Sequence, residues 1–91
     1  MYEWDEAKRQ VNFAKHGVDF ADLERFIWQP GRIREDKRIQ YGEQRFIVDG
    51  HIAGRQFVLV FAKRNLKIRV ISLRKANPRE QRNYEQSQKL Y

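Results

Sequence analysis

The sequence predicts an α+β domain in which two N-terminal helices and one C-terminal helix accompany a four-stranded antiparallel sheet. Three observations support this prediction. Apolar residues recur at helical spacing before Pro30. Between Arg32 and Lys75, β-branched and apolar stretches alternate with short turn-forming segments. Asn77 and Pro78 then open a segment that carries the signals of a helix start.

The first helix is expected to begin after Asp5, which suits the N-cap position, and to end at about His16. Lys15 and His16 fall in the last turn, where positive charge meets the negative end of the helix dipole. Gly17 suits the left-handed residue that ends a helix. Residues 1–4 are too short to classify, although they could form a brief strand. Four residues form an apolar stripe on this helix: Ala7, Val11, Phe13 and Ala14.

The second helix is expected to begin at Asp19, a good N-cap, and to end at Pro30-Gly31. Val18 can pack on Leu23 as a hydrophobic staple. The apolar face of this helix is formed by Phe20, Leu23, Phe26 and Ile27. The large aromatic residues of the N-terminal part are expected in the core rather than as platforms for stacked bases: Trp4, Phe13, Phe20, Phe26 and Trp28.

The sheet is expected to be an antiparallel meander whose first, highly charged strand lies at an edge. The run from Phe57 to Phe61 is apolar on both faces, so its strand should lie in the middle of the sheet. Turns are expected at Ala53-Gly54 and at Asn65, which tolerates a left-handed backbone. The four predicted strands are Arg32–Ile39, Arg45–Ile52, Gln56–Ala62 and the strand that starts at Lys67.

The stretch from Lys67 to Tyr84 carries the most positive charge, with six basic residues and one acid. Asn77 suits an N-cap, and Glu80 stands where a capping-box carboxylate reaches back to the cap amide. A third helix is therefore expected from Pro78 to the end. Simple alternation along the preceding strand puts Ile68, Val70, Ser72 and Arg74 on one face. It puts Lys67, Arg69, Ile71, Leu73 and Lys75 on the other.

The composition limits the classes of function. The 91 residues should form one domain, residues 1–91, with a net charge of +7 and a pI of about 10.1. This charge favours a polyanionic partner, although a merely basic surface is the alternative. The chain has no cysteines, and its two histidines lack metal-ligand spacing, so no metal or cofactor is expected. No membrane span or secretory signal is evident, and a cytoplasmic location is the default expectation.

Several short motifs, in this order and spacing, resemble those of the BrnT family of bacterial toxins from type II toxin–antitoxin systems. They are residues 4–8 (WDEAK), Asn12, residues 15–20 (KHGVDF), residues 41–46 (YGEQRF) and residues 69–76 (RVISLRKA). Leu73 departs from the alanine usual after Ile-Ser in the family, as a packing variation. The resemblance implies a RelE-like fold, RNA cleavage that halts translation, and a cognate antitoxin that folds against the toxin.

Metal-free RNA cleavage needs a base for the ribose 2′-hydroxyl, cations for the phosphorane and an acid for the leaving oxygen. Arginine suits the second task because it stays charged and grips phosphate with paired hydrogen bonds. We predict this role for Arg69 and Arg74, with Arg45 as a third. The alternative is that these arginines form surface ion pairs with Asp49, Asp36 or Glu43. Further contacts to RNA are predicted for Lys63, Arg64, Lys75 and Tyr41, although solvated turn charges would also explain Lys63 and Arg64.

The catalytic acid and base are harder to assign from the sequence. We predict catalytic roles for Glu43 and His16, the latter because histidine titrates near neutral pH. As alternatives, Glu43 could merely pair with Arg45, and the helix C-terminus explains His16 without catalysis. Three further candidates for acid or base are Glu80, His51 and Tyr84.

The leading hypothesis is a metal-independent endoribonuclease toxin that inhibits translation. An antitoxin of the ribbon-helix-helix type would cover its RNA groove in a toxin–antitoxin hetero-oligomer, and the toxin would reach DNA only through that antitoxin. One alternative is a nucleic-acid-binding module without catalysis in a regulatory complex. Another is a purely structural interaction protein.

Overall fold

The computed structural model describes residues 1–38 and 42–89. A five-stranded mixed sheet carries two α-helices and one 3₁₀ helix, and the strand order is β1-β5-β4-β3-β2. The elements, in chain order, are β1 (Tyr2–Glu3), α1 (Glu6–His16), the 3₁₀ helix (Phe20–Arg25), β2 (Ile27–Glu35), β3 (Phe46–Ile52), β4 (Arg55–Arg64), β5 (Lys67–Lys75) and α2 (Pro78–Lys89).

The predicted four-stranded antiparallel sheet is wrong because the N-terminus adds a fifth strand. β1 pairs in parallel with β5, with Tyr2 beside Ile68 and Glu3 beside Arg69. Two residues are too few to show a hydrophobic period, and this pairing joins the two most distant strands of the sequence. The other three interfaces of the sheet are antiparallel.

The predicted second helix is also wrong. A 3₁₀ helix of six residues takes its place, since the three-residue spacing of Phe20 and Leu23 suits either helix type. Phe26 then turns to an extended backbone and enters the core, and β2 begins at Ile27. Pro30 lies inside β2, where the pairing with β3 is interrupted. An irregularity on an edge strand is a place where a missing N–H group is tolerated.

The middle of the sheet matches the prediction. β4 lies between β3 and β5, and its apolar run is buried on both faces, apart from a half-buried Val60. Ala53 and Asn65, with φ angles of 50° and 56°, are left-handed residues of the two predicted turns. The core joins one face of the sheet to the 3₁₀ helix, and its most buried members include Phe20, Leu23, Val48, Leu59, Phe61, Val70 and Leu73.

A β-bulge in β5 changes which side chains share a face. Val60 pairs with Ser72 and Phe61 pairs with Val70, so Ile71 has no partner on β4. Val70 and Leu73 are therefore both in the core, with 1% and 0% exposure. The predicted alternation is wrong beyond Ile71. The bulge brings Arg69, Ser72 and Arg74 to the face of the sheet opposite the core.

Helix α1 has the predicted ends but not the predicted inner face. Asp5 caps its N-terminus, and Gly17 ends it with a φ of 69°. The apolar stripe is exposed, including Val11 at 65% and Phe13 at 55%, so the expectation of a core position for Phe13 is wrong. Phe20 and Phe26 are buried as predicted, while Trp4 and Trp28 are half-buried against the core.

The buried residue of α1 is Asn12, which is 6% exposed. Its amide oxygen accepts a hydrogen bond from the Leu73 N–H at 3.2 Å. Its amide nitrogen donates to the carbonyls of Leu73 at 2.9 Å and of Val18 at 3.1 Å. Asn12 thus pairs with the backbone N–H and C=O of Leu73 on the edge of β5 that β1 leaves uncovered, and it holds α1 beside that strand.

Helix α2 begins with the predicted capping box. Asn77 accepts a hydrogen bond from the Glu80 N–H at 2.8 Å, and Glu80 accepts one from the Asn77 N–H at 2.9 Å. No described side chain of α2 is buried. Polar and aromatic contacts attach it to the sheet, including a hydrogen bond from the Tyr84 hydroxyl to Gln29 at 2.9 Å. His51 packs edge-on against the Tyr84 ring.

Candidate functional site

A groove of about 370 Å³ lies on the face of the sheet opposite the core. Side chains from the three central strands form its floor, namely Ile47, Val58, Val60 and Ser72. Register explains this arrangement, because Ile47 is paired with Val60, which is paired with Ser72 across the sheet. Paired residues project to the same face. The floor is therefore mostly apolar, and the charged groups stand around it.

The rim of the groove is strongly basic. It carries four cations, one carboxylate and one imidazole, from Lys15, His16, Arg34, Arg38, Arg74 and Glu80. These residues come from the end of α1, from β2 and the segment after it, from β5 and from the first turn of α2. The bulge in β5 turns Arg74 towards this face, and Asn12 holds α1 where His16 reaches it. An apolar floor between cations suits a ligand that combines bases or sugars with phosphates.

Arg74 is held at the groove by Glu80. Its two terminal nitrogens donate to the two carboxylate oxygens of Glu80, at 2.8 Å each. These hydrogen bonds raise the pKa of Arg74 and lower the pKa of Glu80. The sequence correctly suggested an ion pair as the alternative role of this arginine, but the predicted partners did not include Glu80. The arginine is paired, yet it stands at the rim of a real hollow.

The surroundings of His16 favour the neutral form of its imidazole. Burial lowers its pKa below the usual 6.5, and the positive charges of Lys15 and Arg74 lower it further. Neutral histidine can accept a proton, which is the task of a general base. The expected role as a cation at the helix C-terminus requires a protonated ring, which this environment disfavours. The groove thus combines a base with several guanidinium groups.

The family model described as "Ribonuclease toxin, BrnT, of type II toxin-antitoxin system" matches residues 4–80. The chain belongs to the BrnT family. The resemblance noted in the sequence is thereby confirmed. The family description indicates a ribonuclease toxin and implies an antitoxin partner. The match spans the groove from His16 to Glu80. No curated protein matches the chain.

In this BrnT-family chain, two of the predicted catalytic residues lie elsewhere. Arg69 bonds to Glu3 of β1 at 3.2 Å, and Glu43 pairs with Arg64 at 3.2 Å. The lining of the groove includes neither Arg69 nor Glu43 among the residues that the structure describes. Of the four predicted catalytic residues, the groove therefore brings together Arg74 and His16.

Four of the five predicted RNA-contacting residues also lie outside the lining of the groove, namely Arg45, Lys63, Arg64 and Lys75. Lys63 and Lys75 are exposed at the ends of their strands, and Arg45 is half-buried just before β3. Arg64 is the partner of Glu43. Tyr41 lies outside the described residues. Contacts of these residues with RNA remain predictions.

Three residues of the rim were not among the predicted site residues, namely Lys15, Arg34 and Arg38. Lys15 was seen only as the last turn of a helix, and Arg34 only as charge on an edge strand. The sequence did contain a signal for Arg34, because a basic residue on a predicted strand is a candidate for binding an anionic ligand. Arg38 follows β2 and binds Asp36 with two hydrogen bonds of 2.8 Å.

Other classes of site find little support in the described part of the chain. Across residues 1–38 and 42–89, no group of three or more histidine, cysteine or acidic residues is arranged to hold a metal ion. The helices of the same ranges include none that is long and apolar enough to cross a membrane.

Proposed function

We propose that the chain is a metal-independent endoribonuclease that cleaves RNA in the basic groove and thereby inhibits translation. The observation that carries the proposal is the placement of His16 and Arg74 at one groove with an apolar floor, where the surroundings lower the pKa of His16. The sequence predicted a catalytic role for both residues, and the family is one of ribonuclease toxins. The two side chains supply the base and the cation that metal-free cleavage requires.

In the proposed reaction, His16 accepts the proton of the ribose 2′-hydroxyl, and that oxygen attacks the adjacent phosphorus. Arg74 stabilises the negative charge that grows on the phosphorane, with Arg34 and Arg38 at the same rim. The leaving 5′-oxygen then needs a proton. Our candidate for this donor is Lys15, the ammonium group beside His16 in the groove.

The substrate must compete with Glu80 for Arg74. The Glu80 carboxylate occupies the fork of the guanidinium, which is the geometry that a phosphate would use. The pair is partly exposed, with 33% and 24% of the two side chains accessible, so solvent and salt weaken it. A phosphate that also contacts the neighbouring arginines can therefore displace the carboxylate.

The proposed inhibitor is a cognate antitoxin of the ribbon-helix-helix type, bound in a toxin–antitoxin hetero-oligomer. The family description assigns the toxin to a type II toxin–antitoxin system, which implies an antitoxin partner. An acidic or amphipathic antitoxin segment would complement the net charge of +7 and cover the groove. Contact with DNA would occur through the antitoxin, and the complex would act in the cytoplasm.

The test is to incubate the purified protein with RNA in the presence of EDTA. Cleavage that requires His16 and persists with the chelator supports the proposal, whereas cleavage that stops on chelation contradicts the metal-independent mechanism. A nucleic-acid-binding module without catalysis is the second candidate, and the engagement of both Arg69 and Arg74 by carboxylates favours it. That candidate predicts salt-sensitive RNA binding with no cleavage.

A further inference from the structure

A second cavity of about 320 Å³ adjoins the groove. It lies between β2, the central part of β3 and the first turns of α2, and its lining consists of Arg32, Arg34, Asp49, Arg79, Glu80 and Asn83. Arg34 and Glu80 line both this cavity and the groove. A linear polymer bound in the groove could therefore continue past these two residues into the second cavity.

Arg32 is fixed in place at this cavity by three contacts. Its Nε donates to Asp49 Oδ2 at 2.8 Å, and one terminal nitrogen donates to Asn83 Oδ1 at 3.1 Å. Its guanidinium lies over the ring of Tyr84, at 5.7 Å from the centroid. Arg34 approaches the same Asp49 oxygen at 3.5 Å. An arginine held in this way loses little side-chain entropy when it binds a ligand.

The cavity offers donors but few acceptors. Asp49 Oδ2 is engaged by Arg32 and the Glu80 oxygens by Arg74, while the Asp49 side chain is only 2% exposed. Asn83 uses its oxygen on Arg32, so its amide N–H groups remain available. Arg79 is exposed and, among the described residues, forms no ion pair. The lining therefore carries three guanidinium groups against the single carboxylate of Asp49, because the charge of Glu80 is balanced by Arg74.

We propose that this cavity is a second phosphate subsite, which holds a non-scissile phosphate of the RNA strand while the groove holds the scissile one. This inference rests on the proposed function for the identity of the strand. The lining indicates the chemistry of the ligand, because it offers hydrogen-bond donors and excess positive charge. A phosphate matches it, since a phosphate carries negative charge and only accepts hydrogen bonds. Arg79 is an exposed member of the lining, so a ligand can reach it directly.

The first experiment measures binding of a short, non-cleavable 2′-O-methyl RNA at several salt concentrations. Arg79→Gln is compared with Arg82→Gln, which removes the same charge from an exposed position of α2 outside the cavity. We expect Arg79→Gln to weaken binding about 10-fold and to reduce the salt slope by about 0.7, the value for one phosphate of a single strand. Arg82→Gln should leave both close to wild type. Equal effects of the two substitutions would overturn the proposal.

The second experiment replaces each phosphate of the RNA in turn with a neutral methylphosphonate. One non-scissile position should weaken binding to the wild-type protein about 10-fold but should have no further effect on Arg79→Gln, because the contact is already lost. Losses that add at every position would refute the subsite. Because both experiments measure binding, a protein that binds in this way without cleaving RNA would disprove the proposed catalysis and leave the subsite intact.

Discussion

The contact between Arg74 and Glu80 yields a prediction that separates two roles of one ion pair. Glu80→Gln keeps the side-chain shape, and its amide oxygen can still accept from the Asn77 N–H, so the capping box survives. The negative charge at the fork of Arg74 is lost. If the carboxylate competes with the substrate phosphate, the variant should bind RNA more tightly than the wild type.

The size of the effect follows from the exposure of the pair. With 33% and 24% of the side chains accessible, the pair should contribute about 1 kcal/mol, the upper end for exposed ion pairs. Relief of this competition should lower KM for RNA about 5-fold, with kcat unchanged. The same loss should lower Tm by about 5 °C for a domain of this size. Tighter binding with lower stability is the expected signature.

The assay is steady-state RNA cleavage with a thermal melt of each variant. Glu85→Gln is the matched control, because Glu85 is an exposed acid on the same helix and lies outside both cavities. An unchanged or raised KM in Glu80→Gln would refute the reasoning, and so would an equal change in both variants. A raised KM would mean that Glu80 positions Arg74 for the substrate instead of competing with it.

The pH dependence of the melt provides a second check on the same pair. Arg74 lowers the pKa of the Glu80 carboxyl in the folded protein. The stabilisation is therefore present above the ordinary carboxyl pKa and is lost as the pH falls through the lowered value. The difference in Tm between wild type and Glu80→Gln should shrink in acid. A difference that persists at low pH would show that the stability change has another cause.

Three further variants test other parts of the structure. His16→Gln should reduce cleavage by at least about 10²-fold with Tm preserved, and full activity of this variant would exclude His16 as the base. In the wild type, kcat/KM should rise with pH through a value below 6.5 and then level off, because the pKa of His16 is lowered and the ring is deprotonated above it. Asn12→Ala should lower the free energy of unfolding by about 2–3 kcal/mol in chemical denaturation, since the buried N–H and C=O of Leu73 lose their partner. A loss below 0.5 kcal/mol, the range of ordinary surface substitutions, would contradict that account. Gly50→Ala should destabilise the fold by at least about 1–3 kcal/mol, because the added Cβ would lie 2.2 Å from the Phe26 ring, and unchanged stability would show that the ring moves aside freely.

Local signals in the sequence were sufficient for the parts of the fold that local chemistry determines. Asp5 and Gly17 define α1, and Asn77 and Glu80 define the start of α2, because caps depend on neighbours within a few residues. The apolar run of β4 identified the central strand. The same local logic failed at Pro30, because a proline normally ends a helix and gives no sign that it will lie on an edge strand.

The site could be predicted only in part because it depends on long-range packing. Simple alternation assigned the wrong faces beyond Ile71, since a bulge leaves no clear mark in the residue types. Arg74 and His16 were identified from their chemistry, but their proximity depends on the amide of Asn12 at the edge of β5. Arg34 was predicted on an edge strand, but the pairing that sets it beside Ile47 of the groove floor is a long-range contact that the sequence does not reveal.

The parallel pairing of β1 with β5 has a consequence for the order of events during protein synthesis. Strand β1 can pair with its neighbour β5 only after the three strands between them in the sequence have been translated. Arg74 and Glu80 emerge at the same late stage. A nascent chain therefore lacks the assembled groove until both β5 and the first turn of α2 have left the ribosome.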